Sequence, residues 1–211
     1  MSRAIAVALS LLLTGCVNLG VKSNTPAVMY YVLTDAAPGD ADPLRAAARA
    51  DSAAPTLLVR DTATSGFYNT DHLVFGRSAE TRGQYQFARW TERPGKRFAD
   101  LMRARLDRLG TYQVAAPGGY VRGDLLLDTE LMEFYHDASS EPGRMRMVLR
   151  ADLVDLRQRR LLGRQVFEQQ AALTTFDAAG AAQAANIAAS QVLDALTVWL
   201  ATHEIAPTIQ Q

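Results

Sequence analysis

The C-terminal half of the chain carries three stretches in which apolar and polar residues alternate with a period of two. Alternation is clearest over residues 145–156, where the apolar set is Met147, Leu149, Ala151 and Leu153 and the polar set includes Arg146, Arg150 and Asp152. This period is typical of a strand with one face on a core. Similar stretches at 124–135 and 162–174 predict two more strands. In the first of these we place Tyr135 on the same buried face as Leu125, Leu127 and Leu131.

Two other stretches have the three- and four-residue spacing of a helix. The first begins at Pro94 and ends before Gly110, two residue types that favour the start of a helix and the position after its end. Its apolar stripe is Phe98, Leu101, Met102, Leu106 and Leu109. The second is rich in alanine and runs from about residue 180 to residue 203. Polar residues such as Asn186 and Asp194 interrupt its circumference, so we expect it to pack on a core rather than cross a membrane.

Short β-favouring runs occupy the N-terminal half of the chain. They lie at residues 28–33, 56–60, 72–77, 85–90 and 112–114, and the third and fourth form a predicted hairpin around a polar turn. Residues 35–55 are rich in Ala, Asp and Pro and predict a loop with at most two helical turns. The order of elements predicts a single α+β domain over residues 28–205, a mainly antiparallel sheet with two helices packed on one face.

Residues 1–15 have the layout of a secretory signal peptide that ends at a cysteine. Arg3 supplies the positive charge, residues 4–13 are apolar but too short to span a bilayer, and Leu13-Thr14-Gly15 precedes Cys16. This ending resembles the bacterial lipobox, in which the cysteine thiol receives diacylglycerol and becomes the first residue of the mature protein. The alternative is an ordinary signal peptide with a chance cysteine. Residues 16–27 are small and polar and predict a lipidated tether.

Charge and cysteine content limit the classes of function. The chain has 22 basic and 22 acidic residues, so no net field favours nucleic acid, and we predict no nucleic-acid partner. Cys16 is the single cysteine, so no intramolecular disulfide can form and the domain must be held by packing. Two or more acyl chains on Cys16 would hold the protein stably on a membrane, whereas one chain would not.

Residues of catalytic or metal-binding type do not form a recognisable pattern. The histidines at positions 72, 136 and 203 lack the spacing of a helical zinc site, and we interpret them as surface or strand-end residues. Neither a Gly-x-Ser-x-Gly elbow nor a phosphate-binding Gly-x-x-x-x-Gly-Lys loop occurs. Glu130 and Glu133 are three residues apart on a predicted strand and should face opposite sides. We therefore predict no enzyme activity, no catalytic residues, no metal and no cofactor other than the covalent lipid.

Two short segments of the sequence are candidate contacts for a partner protein or a lipid. Phe67-Tyr68 follows a glycine and either presents an aromatic contact or is buried under the hairpin. The basic segment that includes Arg157, Arg159 and Arg160 is a predicted hairpin tip, which either binds acidic partners or lipid head groups or is merely solvated.

Short motifs follow one another in a fixed order between Tyr30 and Leu109. They are Tyr30-Tyr31-Val32-Leu33, then Gly66-Phe67-Tyr68-Asn69-Thr70-Asp71-His72-Leu73-Val74-Phe75, then Tyr85, then Arg89-Trp90-Thr91-Glu92-Arg93-Pro94. Their order and spacing resemble the ABC-type transport auxiliary lipoprotein family, and the later strands and the terminal helix fit as well. Phe75 and His72 depart from the family's usual residues. Trp90 and Pro94 also have a structural interpretation, in which they seat the helix on the sheet.

The resemblance implies a non-catalytic role in the cell envelope. Members of the family accompany an ABC permease, an ATPase and a mammalian-cell-entry-type substrate-binding protein, which together move phospholipids or other hydrophobic molecules across the envelope. Val17 after the cysteine, rather than Asp, favours the inner leaflet of the outer membrane facing the periplasm over the inner membrane. The chain itself leaves open whether it self-associates.

The main alternative is an outer-membrane lipoprotein that regulates a peptidoglycan-synthesis enzyme. Such a regulator would need a tether long enough to cross the cell wall. Residues 17–27 reach only about 40 Å when fully extended, which favours partners near the membrane. A lipid-anchored hydrolase is a third alternative, but the sequence supplies no nucleophile constellation for it.

Overall fold

A computed structural model describes residues 26–36, 54–118 and 120–203 of the chain. The signal peptide, Cys16, the tether up to residue 25 and most of the predicted 35–55 loop lie outside the described residues. The strands are β1 (Met29–Tyr31), β2 (Thr56–Val59), β3 (Ala63–Thr64), β4 (His72–Gly76), β5 (Gly83–Trp90), β6 (Gln113–Ala115), β7 (Leu125–Asp137), β8 (Arg144–Asp155) and β9 (Arg160–Ala172). The helices are α1 (Pro94–Leu109) and α2 (Ala178–Ala201), and a 3-10 helix spans Gly66–Tyr68.

Strand β7 is the centre of the sheet. One of its edges pairs with β8 in antiparallel register from Leu125 opposite Asp155 to Asp137 opposite Arg144. Its other edge pairs in parallel with β2, β3 and β4 in turn. Strand β9 continues the sheet beyond β8, β6 lies beyond β2, and β5 and β1 lie beyond β4. The nine described strands therefore form one sheet.

The predicted α+β class and the two helices are confirmed, and the structure refines the sheet from mainly antiparallel to mixed. The long strands β7, β8 and β9 run antiparallel as their alternation suggested. The short strands add the parallel pairs, because each is too far from its partner along the chain for a tight hairpin. Short apolar runs carry no signal of their pairing direction, so the sequence pattern did not distinguish the two arrangements.

Both helices bury one side on the same face of the sheet. The core includes Phe98, Met102 and Leu106 of α1, Leu193, Leu196 and Leu200 of α2, and Leu125, Leu127, Met147, Leu149 and Leu153 of the sheet. The predicted inward set on β8 is buried throughout. Helix α2 is long and apolar enough to cross a membrane by length and composition alone. Much of it is buried in the core, which accounts for the same composition in a globular domain.

The ends of the helices follow from their sequence. Pro94 opens α1, and Gly110 ends it at a φ of 70°, a left-handed conformation that glycine adopts without strain. Asp177 caps α2 by accepting a hydrogen bond from the backbone N–H of Gly180 at 2.7 Å. This bond lowers the pKa of the Asp177 carboxyl. The predicted bounds of α2, residues 180–203, were two residues late at each end.

A β-bulge in β7 changes which side chains face the core. Leu131 lies opposite Leu149, but Glu133 lies opposite Val148, so one extra residue is accommodated at Met132. After the bulge Phe134 faces the core, whereas Tyr135 lies on the outer face of the sheet. The prediction that Tyr135 shares a face with Leu131 was therefore wrong, because strict alternation does not allow for the inserted residue.

The same bulge corrects the prediction for the two glutamates of β7. Glu130 and Glu133 both lie on the outer face, not on opposite faces, and each has its own arginine partner on β8. Arg150 pairs with Glu130, and Arg146 pairs with Glu133 at 2.6 Å. Arg146 also reaches Glu168 on β9 at 2.9 Å. The outer face of β7, β8 and β9 is thus a set of cross-strand ion pairs.

A buried carboxylate joins both helices to the segment that follows β1. The Asp35 side chain is 7% exposed and accepts hydrogen bonds from Arg105 of α1 at 2.5 and 2.7 Å. Ser190 of α2 donates to the same carboxylate at 2.8 Å. Arg108 adds a longer contact at 3.3 Å, and Arg105 also bonds Asp194 of α2. These bonds fix the entry segment of the domain against the helix pair.

Candidate functional site

The described chain enters the domain at β1, an edge strand of the sheet. Met29 lies opposite Ala88 and Tyr31 opposite Trp90, and the two strands run parallel. Because β5 starts at the turn of residues 77–82, the chain before Met29 comes from the same side of the domain as that turn. Val28, Met29 and Tyr30 are exposed along this edge. The tether from Cys16, itself outside the described residues, therefore joins the domain on this side.

Phe67 and Tyr68, predicted as a partner contact, lie on the 3-10 helix beside the outer face of β7. Tyr68 stacks on Tyr135 with ring centroids 6.3 Å apart, and Phe67 packs edge-on against Tyr68 at 6.2 Å. Of the two arrangements that the sequence allowed, the exposed one is found for Phe67, which is 48% exposed, whereas Tyr68 is half-buried. The pair therefore presents the exposed Phe67 ring on Tyr68 and Tyr135, which we call the aromatic base.

Arg82 holds this aromatic base in place. Its guanidinium lies over the Tyr135 ring at 3.8 Å from the centroid, and its Nε donates a hydrogen bond to Tyr68 Oη at 2.9 Å. Its Nη1 donates to backbone carbonyls of the 78–81 turn. Burial raises the pKa of Tyr135, and the charge of Arg82 offsets part of that rise. Sequence reasoning missed Arg82, because nothing in the local pattern brings it to residues on β7.

The basic segment lies at the hairpin turn between β8 and β9, as predicted. Arg157 donates to Asp124 at 2.5 and 2.9 Å, and the backbone N–H groups of Arg157 and Gln158 donate to Asp155 at 2.8 and 2.9 Å. Arg159 has a φ of 54° in the left-handed region, and its side chain and that of Arg160 are exposed. Arg157 therefore stabilises the turn, while Arg159 and Arg160 point into solvent.

The structure does not bring the two predicted contacts together. The 3-10 helix contacts the second half of β7 through Tyr135, whereas the arginine turn meets the first residue of β7, Leu125, and Asp124 before it. Ten residues of extended strand separate Leu125 from Tyr135, which corresponds to roughly 33 Å. They are two separate surfaces on opposite halves of the sheet.

An apolar cavity of about 90 Å³ lies between the C-terminal ends of the two helices. Its lining consists of Leu106, Leu109, Thr111, Tyr112, Thr197, Leu200 and Ala201. It is smaller than the roughly 150 Å³ of an apolar cavity known to bind benzene. The cavity gives no lipid-binding site in this conformation.

The prediction that the histidines are surface or strand-end residues holds for His136 in its strand-end form. His136 does lie next to the end of β7, but it is fully buried. Its Nδ1 accepts a hydrogen bond from Tyr85 Oη at 2.8 Å, and its Nε2 donates to the Pro142 carbonyl at 3.1 Å in the neutral tautomer that satisfies both partners. Phe176 packs edge-on against the ring at 5.5 Å. His136 thus joins β5, β7 and the 138–143 turn.

Burial of His136 predicts a loss of stability in mild acid. Burial lowers its pKa in the folded protein, and the bond to the Pro142 carbonyl and the charge of Asp137 offset this only in part. A histidine in the unfolded chain has a pKa near 6.5. Below about pH 6.5 the unfolded chain therefore binds a proton that the folded protein does not bind. We expect the free energy of unfolding to fall between pH 7.5 and 5.5.

Urea unfolding at several pH values in that range measures this effect. In His136→Gln, we expect a less stable protein whose free energy of unfolding depends less on pH than that of the wild type. His203→Gln is the matched control, because it removes a histidine that is not fully buried and lies outside this site. An unchanged slope in His136→Gln would show that other groups cause the pH dependence.

The motif residues of the hairpin have structural roles. Arg89 bonds both Asp71, at 3.3 Å, and the Nε2 of His72, which links the first residues of β4 to the end of β5. Trp90 is buried and packs on Phe134 with ring centroids 5.7 Å apart. Trp90 is therefore part of the core, its role in seating the helix stays a prediction, and His72 takes part in the network around Arg89.

Solved structures of other proteins have the same fold. Protein XCC0632 from Xanthomonas campestris is 19% identical to this chain. The match covers 83% of this chain and 96% of the Xanthomonas protein, with a TM-score of 0.68. An uncharacterized protein is 13% identical, with 83% and 99% coverage and a TM-score of 0.65. Protein CT253 from Chlamydia trachomatis is 8% identical, with 71% and 98% coverage and a TM-score of 0.52. No curated protein matches the chain in sequence. At these identities the likeness establishes the fold alone.

The described residues form a small α+β domain that carries two candidate contact surfaces. The model of the family described as the ABC-type transport auxiliary lipoprotein component matches residues 31–197, from β1 to the last turns of α2. The chain belongs to this family. It is therefore a lipoprotein component associated with an ABC-type transport system of the cell envelope, and the resemblance drawn from the motif order is confirmed.

Proposed function

We propose that this protein is a lipid-anchored, non-catalytic auxiliary of an ABC transport system whose substrate-binding component is of the mammalian-cell-entry type. The system would move phospholipids or other hydrophobic molecules across the cell envelope. The observation that carries the proposal is the family match over residues 31–197, combined with the lipobox that ends at Cys16. The permease and the ATPase are partners of the auxiliary in this proposal.

The anchor places the domain at one membrane. Diacylglycerol on Cys16 and a further acyl chain would hold it stably, and Val17 favours the inner leaflet of the outer membrane, facing the periplasm. The domain begins shortly after the tether, so its partners must come close to that membrane. Exposed Phe67 and the arginines of the β8–β9 turn are the residues through which we propose it contacts them, with Tyr68 and Arg157 as their supports.

Side chains that sequence reasoning considered for catalysis are engaged in structural bonds, which supports a non-catalytic role. His136 bonds Tyr85 and the Pro142 carbonyl, and His72 bonds Arg89. Glu130 and Glu133 each pair with an arginine. Within residues 26–36, 54–118 and 120–203, no group of three histidine, cysteine or acidic residues is placed to hold a metal ion.

In-cell crosslinking followed by capture of the tagged full-length protein tests the proposal. We expect recovery of an entry-type membrane protein together with its permease and ATPase. In Cys16→Ser, we expect an unprocessed or mislocalised protein with an intact fold and a much lower yield of these partners. Circular dichroism and the urea unfolding midpoint check the fold of the variant.

Two results would contradict the proposal. Recovery of peptidoglycan synthases alone would favour the alternative role as a regulator of cell-wall synthesis. Full transport by the Cys16→Ser form would show that the anchor is dispensable.

A further inference from the structure

The two ends of β7 lie in surroundings of different charge. We call the region formed by residues 120–124 and 156–161 the tip end, and the region of the turns 77–82, 138–143 and 173–177 the turn end. The tip end is held together by Arg157 on Asp124 and by a hydrogen bond from the Leu156 N–H to the Asp124 carbonyl at 2.9 Å. These bonds place the two loops of the tip end side by side.

The tip end is basic on a chain whose net charge is zero. Its exposed arginines are Arg122, Arg157, Arg159 and Arg160, against the carboxylates of Asp124 and Asp155. Asp124 forms an ion pair with Arg157. Asp155 is buried and accepts hydrogen bonds from two backbone N–H groups of the turn. Among the described residues Arg122, Arg159 and Arg160 form no ion pair. Three exposed arginines at the tip end are therefore without an ion-pair partner within residues 26–36, 54–118 and 120–203.

Apolar side chains are exposed between these arginines. Tyr120 is fully exposed, and Val121 and Leu161 are about half exposed. Tyrosine and arginine next to exposed aliphatic groups are the residue types that carry most of the binding energy at protein interfaces. The outer face of the sheet differs from this region, because Arg146 and Arg150 there are paired with carboxylates.

The turn end has the opposite sign and lies on the side from which the tether comes. It carries Glu80, Glu141 and Asp177 against Arg77 and Arg82, a net charge of −1. Strand β1 is parallel to β5, so the chain before Met29 runs towards this end. Cys16 and Pro26 are ten residues apart, at most about 36 Å. The 13 residues of β7 span roughly 40 Å, so even a fully extended tether folded back along the sheet stops short of the tip end.

We propose that the tip end is a docking surface for an acidic protein partner on the side of the domain that faces away from the anchoring membrane. Carboxylates of the partner pair with Arg122, Arg159 and Arg160, and an apolar group of the partner packs on Tyr120 and Leu161. The short tether argues against the lipid head groups of the anchoring membrane as the occupant. This inference rests on the proposed function, because it assigns a surface to the contact with the entry-type protein.

Binding of the full-length lipidated protein to the purified periplasmic part of the entry-type protein tests the assignment. The double charge reversal Arg122→Glu and Arg160→Glu should weaken binding at least tenfold and reduce its dependence on salt concentration. The matched control is the reversal of two exposed arginines elsewhere, Arg77→Glu and Arg93→Glu, which should bind within twofold of the wild type. Equal unfolding midpoints of the two variants exclude a folding defect.

The outcomes separate this inference from the proposed function. If the wild type does not bind the entry-type protein, the proposed function fails and the inference with it. If the wild type binds and both variants bind equally well, the tip end is not the docking surface and the proposed function stands. Vesicles of phosphatidylcholine with phosphatidylglycerol are the second probe. Binding of vesicles that the tip-end reversal abolishes, with binding of the protein partner unchanged, would overturn the inference in favour of a lipid surface.

Discussion

Asp35→Asn is expected to lower the free energy of unfolding by about 3 kcal/mol or more, in the range typical for breaking a buried ion pair. The carboxylate is nearly inaccessible and accepts two hydrogen bonds from Arg105 and one from Ser190. Asparagine keeps the size of the side chain but leaves the Arg105 guanidinium without its buried counter-charge. A guanidinium stays protonated in proteins, so Arg105 remains charged in the variant.

Urea unfolding followed by the fluorescence of the two tryptophans, Trp90 and Trp199, measures this loss. Asp61→Asn is the matched control, because Asp61 also pairs with an arginine of α1, Arg103, but is largely exposed. Exposed pairs contribute at most about 1 kcal/mol, so the control should change stability little. Equal losses in the two variants would show that burial at Asp35 does not strengthen the interaction.

Gly95→Ala is expected to destabilise the protein by about 1–3 kcal/mol, although alanine is the better helix former. Gly95 lies in the first turn of α1, directly over β3. A Cβ atom there would overlap the Thr64 side chain and lie 2.9 Å from the Thr62 carbonyl oxygen. The backbone at Thr62 is held by the bond between the hydroxyls of Thr62 and Thr129 at 2.8 Å, so it cannot give way easily.

The same unfolding measurement compares Gly95→Ala with Gly66→Ala. A Cβ atom at Gly66 meets nothing within 4 Å, and this glycine has no left-handed φ, so its replacement should change stability by less than about 0.5 kcal/mol. A more stable Gly95→Ala would mean that helix propensity outweighs the contact with β3, and that α1 can move away from the sheet.

Elements with a long regular pattern were predicted well. The alternation at 145–156 gave the buried set of β8, and Pro94 and Gly110 gave both ends of α1. Motif order gave the family. The β-bulge at Met132 was not predicted, because a single inserted residue changes the face of Tyr135 without changing the composition of the strand. The burial of His136 was not predicted either, because the pattern of β7 does not show its hydrogen-bond partners, which lie on β5 and in the 138–143 turn.

For the two candidate surfaces as well, the sequence predicted one part and the tertiary structure decided the other. The sequence marked Phe67 and the arginines of residues 157–160 as unusual, but not which of them are supports and which are exposed. Tyr68 is fixed by Arg82, and Arg157 by Asp124, through contacts between residues that are far apart in the chain. Arg122 and Tyr120 joined the second surface only because the folded chain places their loop beside the β8–β9 turn.

The sequence by itself determined the class of the fold, the ends of α1 and the family, and it predicts the anchor at Cys16, because each of these depends on a short or periodic run of residues. Tertiary structure alone decided the mixed pairing around β7, the face of Tyr135, the buried bonds of Asp35 and the separation of a basic tip end from an acidic turn end. These features depend on distances between elements, and a hydrophobic pattern constrains only which face of each element is buried.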